Sequence, residues 1–450
     1  MANARKTSKM TRFKRWLFQD VDNSGLILWR ILLGFLLTAE AWGAILTGWM
    51  KETYVDPSFR FHFIGFDFLQ ILSGEWMYIY NIVMGVFGLM FMLGYRYRLA
   101  AIGYFIMWSG IYFGQKSNYN NHYYLLLLLV GIMIFIPANR FASLDAKSNP
   151  SIKSYSAPRW AYFILQLQFA IVYVFATVAK LYPDWLKAIP VSLWLNAKSD
   201  YWLIGPLLTK EWLHYFMSYA GIFYDGTIIL FLLFKRTRVL ALVLSLIFHL
   251  SNSAIFQIGV FPFMAISAIL LFWDPAVIRK RFFKKKPAFI TPDKQSIPNW
   301  SNAAIVVVGI YFIWQVYLPL RHHLYEGNVH WTEEGHRLSW QMMTRSKRGS
   351  VFFYVKLPDS SNKSLEFPAK RIAPHQAGSM ATRPDMIWQY AQHLKEIYQD
   401  SLGVTPQVYA HSSVSLNGRP SAPLVNSKVD LAAEPWNRFE HKHWILLMKD

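Results

Sequence analysis

The uncharged run from Phe163 to Ala179 ends in a lysine, Lys180. Desolvation disfavours a charged ammonium, and this is how a lysine is made into a general base. The competing arrangement is an interfacial lysine that snorkels outward and pairs with Asp184, across Pro183. Histidines accompany it: His122 in Asn120-Asn121-His122, His249 in Phe248-His249, and His322-His323 directly after the last long apolar run. Imidazoles titrate near neutrality and, with asparagine amides, can orient a bound molecule or exchange protons with it; they can equally satisfy helix ends. Glu40 and Asp225 lie inside apolar runs, as proton-relay carboxylates or as buried, hydrogen-bonded ones. Arg30 lies near the end of its run, where its long side chain can snorkel to water. No HExxH or close His/carboxylate spacing is present, and zero cysteines remove thiol nucleophiles, thiolate zinc and disulfides. The set reads as a dry, metal-free acid/base pocket.

The elements that carry these residues are membrane spans. Of 450 residues, 54% are hydrophobic, 17% aromatic and only 16% charged, a balance that suits lipid contact and two aromatic belts rather than one aqueous core. On a ruler of about 20 apolar residues per crossing, candidate spans cover 26–49, 68–94, 99–114, 123–137, 160–182, 212–234, 239–256, 259–273 and 301–319. The pair meeting at Gly259 is a candidate broken or re-entrant element. With the N-terminus inside, the inner loops hold most of the Lys and Arg, while the outer loops hold Lys51, Arg60, Lys116, Lys187, Lys198 and Lys210. The positive-inside rule therefore places the N-terminus in the cytoplasm and the tail outside, in a periplasm or an endoplasmic-reticulum lumen. The net charge of +20 is thus topological, and nucleic acid is not an expected partner. The basic start followed by a long apolar run reads as an anchor, not a signal peptide. The tail alternates as strands at Val351 to Leu357 and Val404 to Leu416, with an amphipathic helix near Asp385 to Gln399. The expected fold is mainly α: a polytopic bundle of about 8–9 spans with a small C-terminal extramembrane α+β domain. Its expected parts are a basic segment over 1–24, the helical domain over 25–320 and the outer domain over 321–450.

In order along the chain stand Arg60-Phe61, Phe66-Asp67-Phe68-Leu69, Asn120-Asn121-His122, Ala179-Lys180-Leu181 with Asp184-Trp185, and Phe248-His249 with Asn252-Ser253. There follow Ile258-Gly259, Phe261-Pro262, Leu318-Pro319 with His322, Trp331-Thr332, and Ser339-Trp340 with Met342-Met343. This series resembles the vitamin K-dependent gamma-glutamyl carboxylase family, built around the horizontally transferred transmembrane domain, and a compact prokaryotic relative is expected. The resemblance implies an integral membrane enzyme that oxidises vitamin K hydroquinone (phylloquinol or menaquinol) with O2 to the 2,3-epoxide. The energy is used to carboxylate glutamate side chains with CO2. It implies no metal, a glutamate-containing peptide or protein as substrate, the lipid bilayer as medium, and a quinone reductase that recycles the vitamin. Lys180 aligns with the family's catalytic lysine, which deprotonates the hydroquinone, and His122 joins it as catalytic. Asn121, His249, Phe261 and Met342 are implied at the cofactor, and His322 and Trp340 at the glutamate substrate. Phe261, Trp340 and Met342 are equally at home as core residues.

The departures have consequences. Where the family has two adjacent lysines this chain has Ala179-Lys180, which keeps the lysine assigned as base. His336 stands at an aromatic position of the glutamate-recognition stretch, and Gly335 at an apolar one. Without cysteine, the disulfide that joins membrane and lumenal parts in the animal enzymes cannot form. Two other readings remain at this stage: a hydroquinone epoxidase of the same fold that carboxylates no protein, and a transporter or receptor with an outer domain. The last would need a polar path across the bilayer, whereas the polar residues here gather at one side.

Overall fold

The computed structural model describes residues 9–256, 258–290, 297–358 and 363–448. Each of the nine apolar segments is helical in it. Six helices are long and apolar enough to cross a membrane: Ser24–Leu46, Trp76–Leu93, Trp160–Val178, Glu211–Leu233, Arg238–Phe256 and Ser301–Leu324. Tyr97–Gly114 and the shorter Asn121–Met133 pack among them. Phe261–Phe272 and Pro275–Phe282 form a pair bent by 112°. That bend falls at Trp273–Asp274, where Asp274 accepts the Ala276 N–H at 2.9 Å and Pro275 opens a new helix, in addition to the expected break at Gly259, between the helices ending at Phe256 and starting at Phe261. Gly259, at φ +63°, opens the turn into the Phe261 helix. The second span also starts later than its apolar run: Asp67–Ile71 is a separate 3-10 turn, and Gly74 at φ +83° resets the chain before Trp76.

The first two spans approach closely. A Cβ on Gly34 would stand 2.5 Å from the backbone of Met92, so only glycine admits this crossing. Arg30 does not reach water. Its guanidinium donates to the carbonyls of Ala138 (3.1 Å) and Ala142 (2.5 Å), because the loop at 138–142 folds over it and leaves it fully buried. The same end of the bundle is fastened by a short antiparallel ladder between β1 (Asp20–Asp22) and β2 (Ser156–Pro158). Buried Lys286 adds an ion pair to Asp22 at 2.6 Å.

At the other end sits the C-terminal domain. Strands β3 (Lys347–Lys356), β4 (Lys363–Glu366) and β5 (Gln407–Leu416) form an antiparallel sheet in the order β4-β3-β5. Helices Pro374–Ala381 and Pro384–Leu402 cover one face, burying Phe353, Met386, Ile387, Tyr390 and Val408. Phe59 and Phe61, from the loop after the first span, are part of this core and weld the domain to the bundle. Asp385 seals the seam, ion-paired with Lys116 at 2.7 Å and accepting from Arg337 at 2.6 Å. Burial alone would push Asp385 up; Arg337 and Lys116 outweigh it and hold its carboxyl well below the usual range.

Candidate active site

The junction between bundle and domain contains two cavities of different chemistry. The first, about 600 Å³, is walled mainly by apolar groups: Leu126, Trp194, Phe256, Val260, Phe261 and Met264. The second, about 280 Å³, is lined by Arg337, Arg345, Lys347 and Arg383 with Glu333 as its only carboxylate. Asn120, His122 and Met343 line both.

Local sequence explains why the shared wall is polar. Asn120 caps the helix Asn121–Met133, its Oδ1 accepting the Tyr123 N–H at 2.7 Å. Asn121 and His122 therefore occupy the first helical turn, where unsatisfied N–H groups and the helix dipole favour negative charge. The Asn121 carbonyl oxygen accepts from the Tyr119 hydroxyl at 2.8 Å, and that hydroxyl accepts the Leu338 N–H at 2.6 Å. His122 stacks on Phe261 with ring centroids 3.8 Å apart. The edge of Phe261 in turn meets His249 at 5.6 Å. His249 Nε2 lies 3.0 Å from the Tyr224 hydroxyl and 3.2 Å from that of Tyr173, in a buried cluster behind the apolar cavity.

Lys180 lies just past the end of the Trp160–Val178 helix. Its ammonium donates to the Ala176 carbonyl at 3.1 Å and to Asp225 Oδ2 at 2.6 Å, and both partners of this ion pair are buried. The competing pairing with Asp184 is not made. Asp184 is held by Arg419, at 2.8 Å to Oδ1, and by Asn417 at 2.8 Å. Lys180 and Asp225 line neither cavity; Tyr224, next to Asp225 on the same helix, bonds His249.

The remaining expected residues divide. Asn121 and Met342 line the cationic cavity, and Phe261 the apolar one. Trp340 is fully buried and stacks on Tyr124 at 5.0 Å, within the bundle core. His322 Nδ1 bonds the Pro319 carbonyl at 2.7 Å and lines neither cavity. The loop holding Trp340 and Met342 is strained: Glu333, Leu338, Trp340 and Met343 all have φ between 49° and 63°. Such strain in non-glycine residues persists only where surroundings enforce it, as at functional sites.

The cationic group was not anticipated. Arg345 grips Glu333 through Nε at 2.8 Å and Nη2 at 2.5 Å, and Lys347 reaches the same carboxylate at 3.4 Å. Burial works to raise Glu333, but Arg345 and Lys347 hold it well below the usual carboxylate range. Lys347 is pushed down to about 7 by burial, with Glu333 opposing. Arg383 is lowered to about 10 by burial and then by Arg337. His336 is driven well below its ordinary value by burial and Arg345, so it is neutral. Arg383 Nη1, Gln341 Oε1 and Thr344 Oγ1 are buried at this cavity without a hydrogen-bond partner among the described residues. With Arg337 paired to Asp385, the cavity still sets Arg345, Lys347 and Arg383 against Glu333 alone, with the Arg383 donor unspent, and this excess suits an anionic guest. The sequence did carry a signal for it: the basic run Arg345 to Arg348 follows Met342-Met343 directly. Among the described residues, no group of three or more His, Asp or Glu could hold a metal ion.

No solved structure matches the chain. Residues 18–276, more than half of it, match the HTTM domain, and residues 300–450 match the lumenal domain of vitamin K-dependent gamma-carboxylase. These adjoining matches span the helical bundle and the sheet-bearing domain whose junction forms the two cavities, and the chain belongs to the vitamin K-dependent gamma-carboxylase family.

Proposed function

We propose that this chain is a membrane gamma-glutamyl carboxylase that couples oxidation of vitamin K hydroquinone by O2 to carboxylation of glutamate side chains with CO2. The observation that carries the reading is the shared wall: an apolar cavity and a cationic cavity meet at Asn120, His122 and Met343. One reactant of this chemistry is an aromatic lipid, and the other is an anionic side chain. The apolar cavity fits the first, since Phe261 and Met264 offer flat and polarizable surfaces to a fused ring. Arg383, Arg345 and Lys347 fit the second, placing charge-assisted donors around a γ-carboxylate.

When bound, vitamin K hydroquinone supplies, through its oxidation, a base strong enough to remove a glutamate γ-proton. The protein's own part is to exclude water and move protons. His122 at the shared wall would hydrogen-bond the ring oxygens, with Asn121 beside it on the cationic side. The Lys180–Asp225 pair would act as one proton-accepting unit: with the ammonium already protonated, the incoming proton is taken up by the pair's carboxylate, and the pair gains one positive charge. The Tyr173–His249–Tyr224 cluster is hydrogen-bonded within itself and meets Phe261 through His249, so it would carry protons beside the apolar cavity. Domain boundaries near residues 24 and 320, an inside N-terminus and an outer C-terminal domain belong to the same proposal; the basic loops and the C-terminal position of the cationic cavity support them.

The test is purified full-length protein in detergent with reduced vitamin K, O2, labelled bicarbonate and a short glutamate peptide, assaying epoxide and fixed label in parallel. Both products are expected. Epoxide without fixed label from any glutamate peptide would replace the reading with an uncoupled epoxidase, and neither product from folded protein would end it.

A further inference from the structure

A third cavity, about 570 Å³, lies at the end of the bundle remote from the C-terminal domain. It forms where the second turn of Ser24–Leu46, the close of Trp76–Leu93 and the loop at 141–153 come together. Its cations are Arg30, Lys147 and Lys153, and no carboxylate lines it. The nearest acid, Asp145, is committed elsewhere, accepting the backbone N–H groups of Arg96 (2.7 Å) and Tyr97 (3.0 Å) and the Asn139 amide (2.8 Å).

Arg30 is the telling residue. It is fully buried, its two terminal nitrogens are spent on neutral carbonyls, and its Nε is buried with no partner among the described residues. Asp145 is the one carboxylate acting on this guanidinium and makes no ion pair with it, so burial of the charge stays costly, and an anion in the adjoining cavity would lower that cost. Lys147 and Lys153 have no ion-pair partner among the described residues, and Lys153 is steered over the Phe141 ring at 5.9 Å. The other walls, Ile31, Met92, Leu93 and Leu144, are apolar, and Leu93 and Leu144 are 42% and 39% exposed. A polar, cationic floor with an apolar rim at the ends of two spans has the amphipathic pattern of a phospholipid at the depth of its headgroup.

From this geometry we infer that the cavity bounded by Arg30, Ser143, Lys147 and Lys153 is a binding site for a phosphate-bearing anion, occupied by the headgroup of an anionic membrane phospholipid whose acyl chains lie along Leu93 and Leu144. The site is independent of the carboxylase reading, since it shares no residue with the two cavities at the domain junction.

The experiment is native mass spectrometry of the full-length protein in detergent, titrated with dioleoyl phosphatidylglycerol, with dioleoyl phosphatidylcholine, and with inorganic phosphate as competitor. Arg30→Gln would test the floor directly but also loosens the loop at 138–142. The deciding variant is therefore Lys147→Gln/Lys153→Gln, whose side chains hold no backbone. One phosphatidylglycerol per chain is expected, bound in preference to phosphatidylcholine and about thirtyfold more weakly by the double variant. Equal affinity of wild type and double variant would overturn the site, as would equal affinity for the two lipids. Displacement of phosphatidylglycerol by an equimolar amount of inorganic phosphate would overturn the lipid assignment.

Discussion

The two cavities at the domain junction are made by opposite means. The apolar one is enclosed by helices of the bundle and the Phe261 turn, with Lys198 and Arg348 among its lining and the buried Tyr173–His249–Tyr224 cluster next to Phe261. The cationic one is built largely from the strained loop at 333–343, the start of β3 and the Thr382-Arg383 corner of the C-terminal domain. Their contact is confined to Asn120, His122 and Met343. A membrane enzyme that couples oxidation of a lipid to carboxylation of an acid, as proposed, need not bring the acid into lipid or the lipid into water. On the proposed reading each reactant would keep its own environment, and one helix N-terminus faces both cavities.

The comparison can be broken most severely from behind. Lys180→Ala is expected to lower epoxide and carboxyglutamate formation together by roughly 10²–10⁴-fold, the usual worth of a general acid or base. Because the change also strands Asp225, it should destabilise the fold by about 3–5 kcal/mol. Lys180→Ala/Asp225→Ala should recover the melting temperature but not the activity, which separates chemistry from stability. Full activity in the single variant would remove Lys180 from the reaction. Next, His122→Ala should lower both products by roughly 10²-fold with expression unchanged, as for loss of one preorganised hydrogen bond. A drop in only one product would assign His122 to one cavity alone.

The pH dependence sharpens the cationic side. With its pKa near 7, Lys347 is charged below that pH and neutral above it. The charge that helps to hold a carboxylate is therefore complete below pH 7 and is lost as pH rises through it. KM for the glutamate peptide should rise about tenfold from pH 6 to pH 8, while KM for the hydroquinone stays level. In Lys347→Met the glutamate profile should be flat. A wild-type profile already flat over this range would exclude Lys347 from glutamate binding.

Much of the fold is legible in the sequence because apolar length is a local property: all nine apolar segments are largely helical, and β3 and β5 overlap the expected strands, β3 starting before Val351 and β5 after Val404. Where boundaries moved, local residues moved them: Gly74 delayed the second span, and Asp274-Pro275 placed the sharp bend. The site was legible only in part. Asn121, His122, Phe261 and Met342 line the cavities, and their neighbourhood was marked by type and order. The partner of Lys180 could not be read, since Asp225 is 45 residues away on another helix whereas Asp184 is near in sequence. Nor could the burial of Arg30, which depends on a loop 108 to 112 residues distant. Arg383 lacked any periodic signal, because it sits at a corner between two helices and gains its meaning from Arg345 and Lys347 across the cavity.

The division of labour between the cavities is tested most directly by measuring KM for both substrates in Arg383→Gln and Phe261→Leu. Arg383→Gln should raise KM for the glutamate peptide about tenfold or more, the value of a lost charge-assisted hydrogen bond, and leave KM for the hydroquinone within about twofold. Phe261→Leu should do the reverse, by up to about tenfold, the worth of one aromatic contact. If Arg383→Gln moves the hydroquinone KM as far as the glutamate KM, the two cavities are not separate sites, and the two-sided arrangement around His122 is wrong.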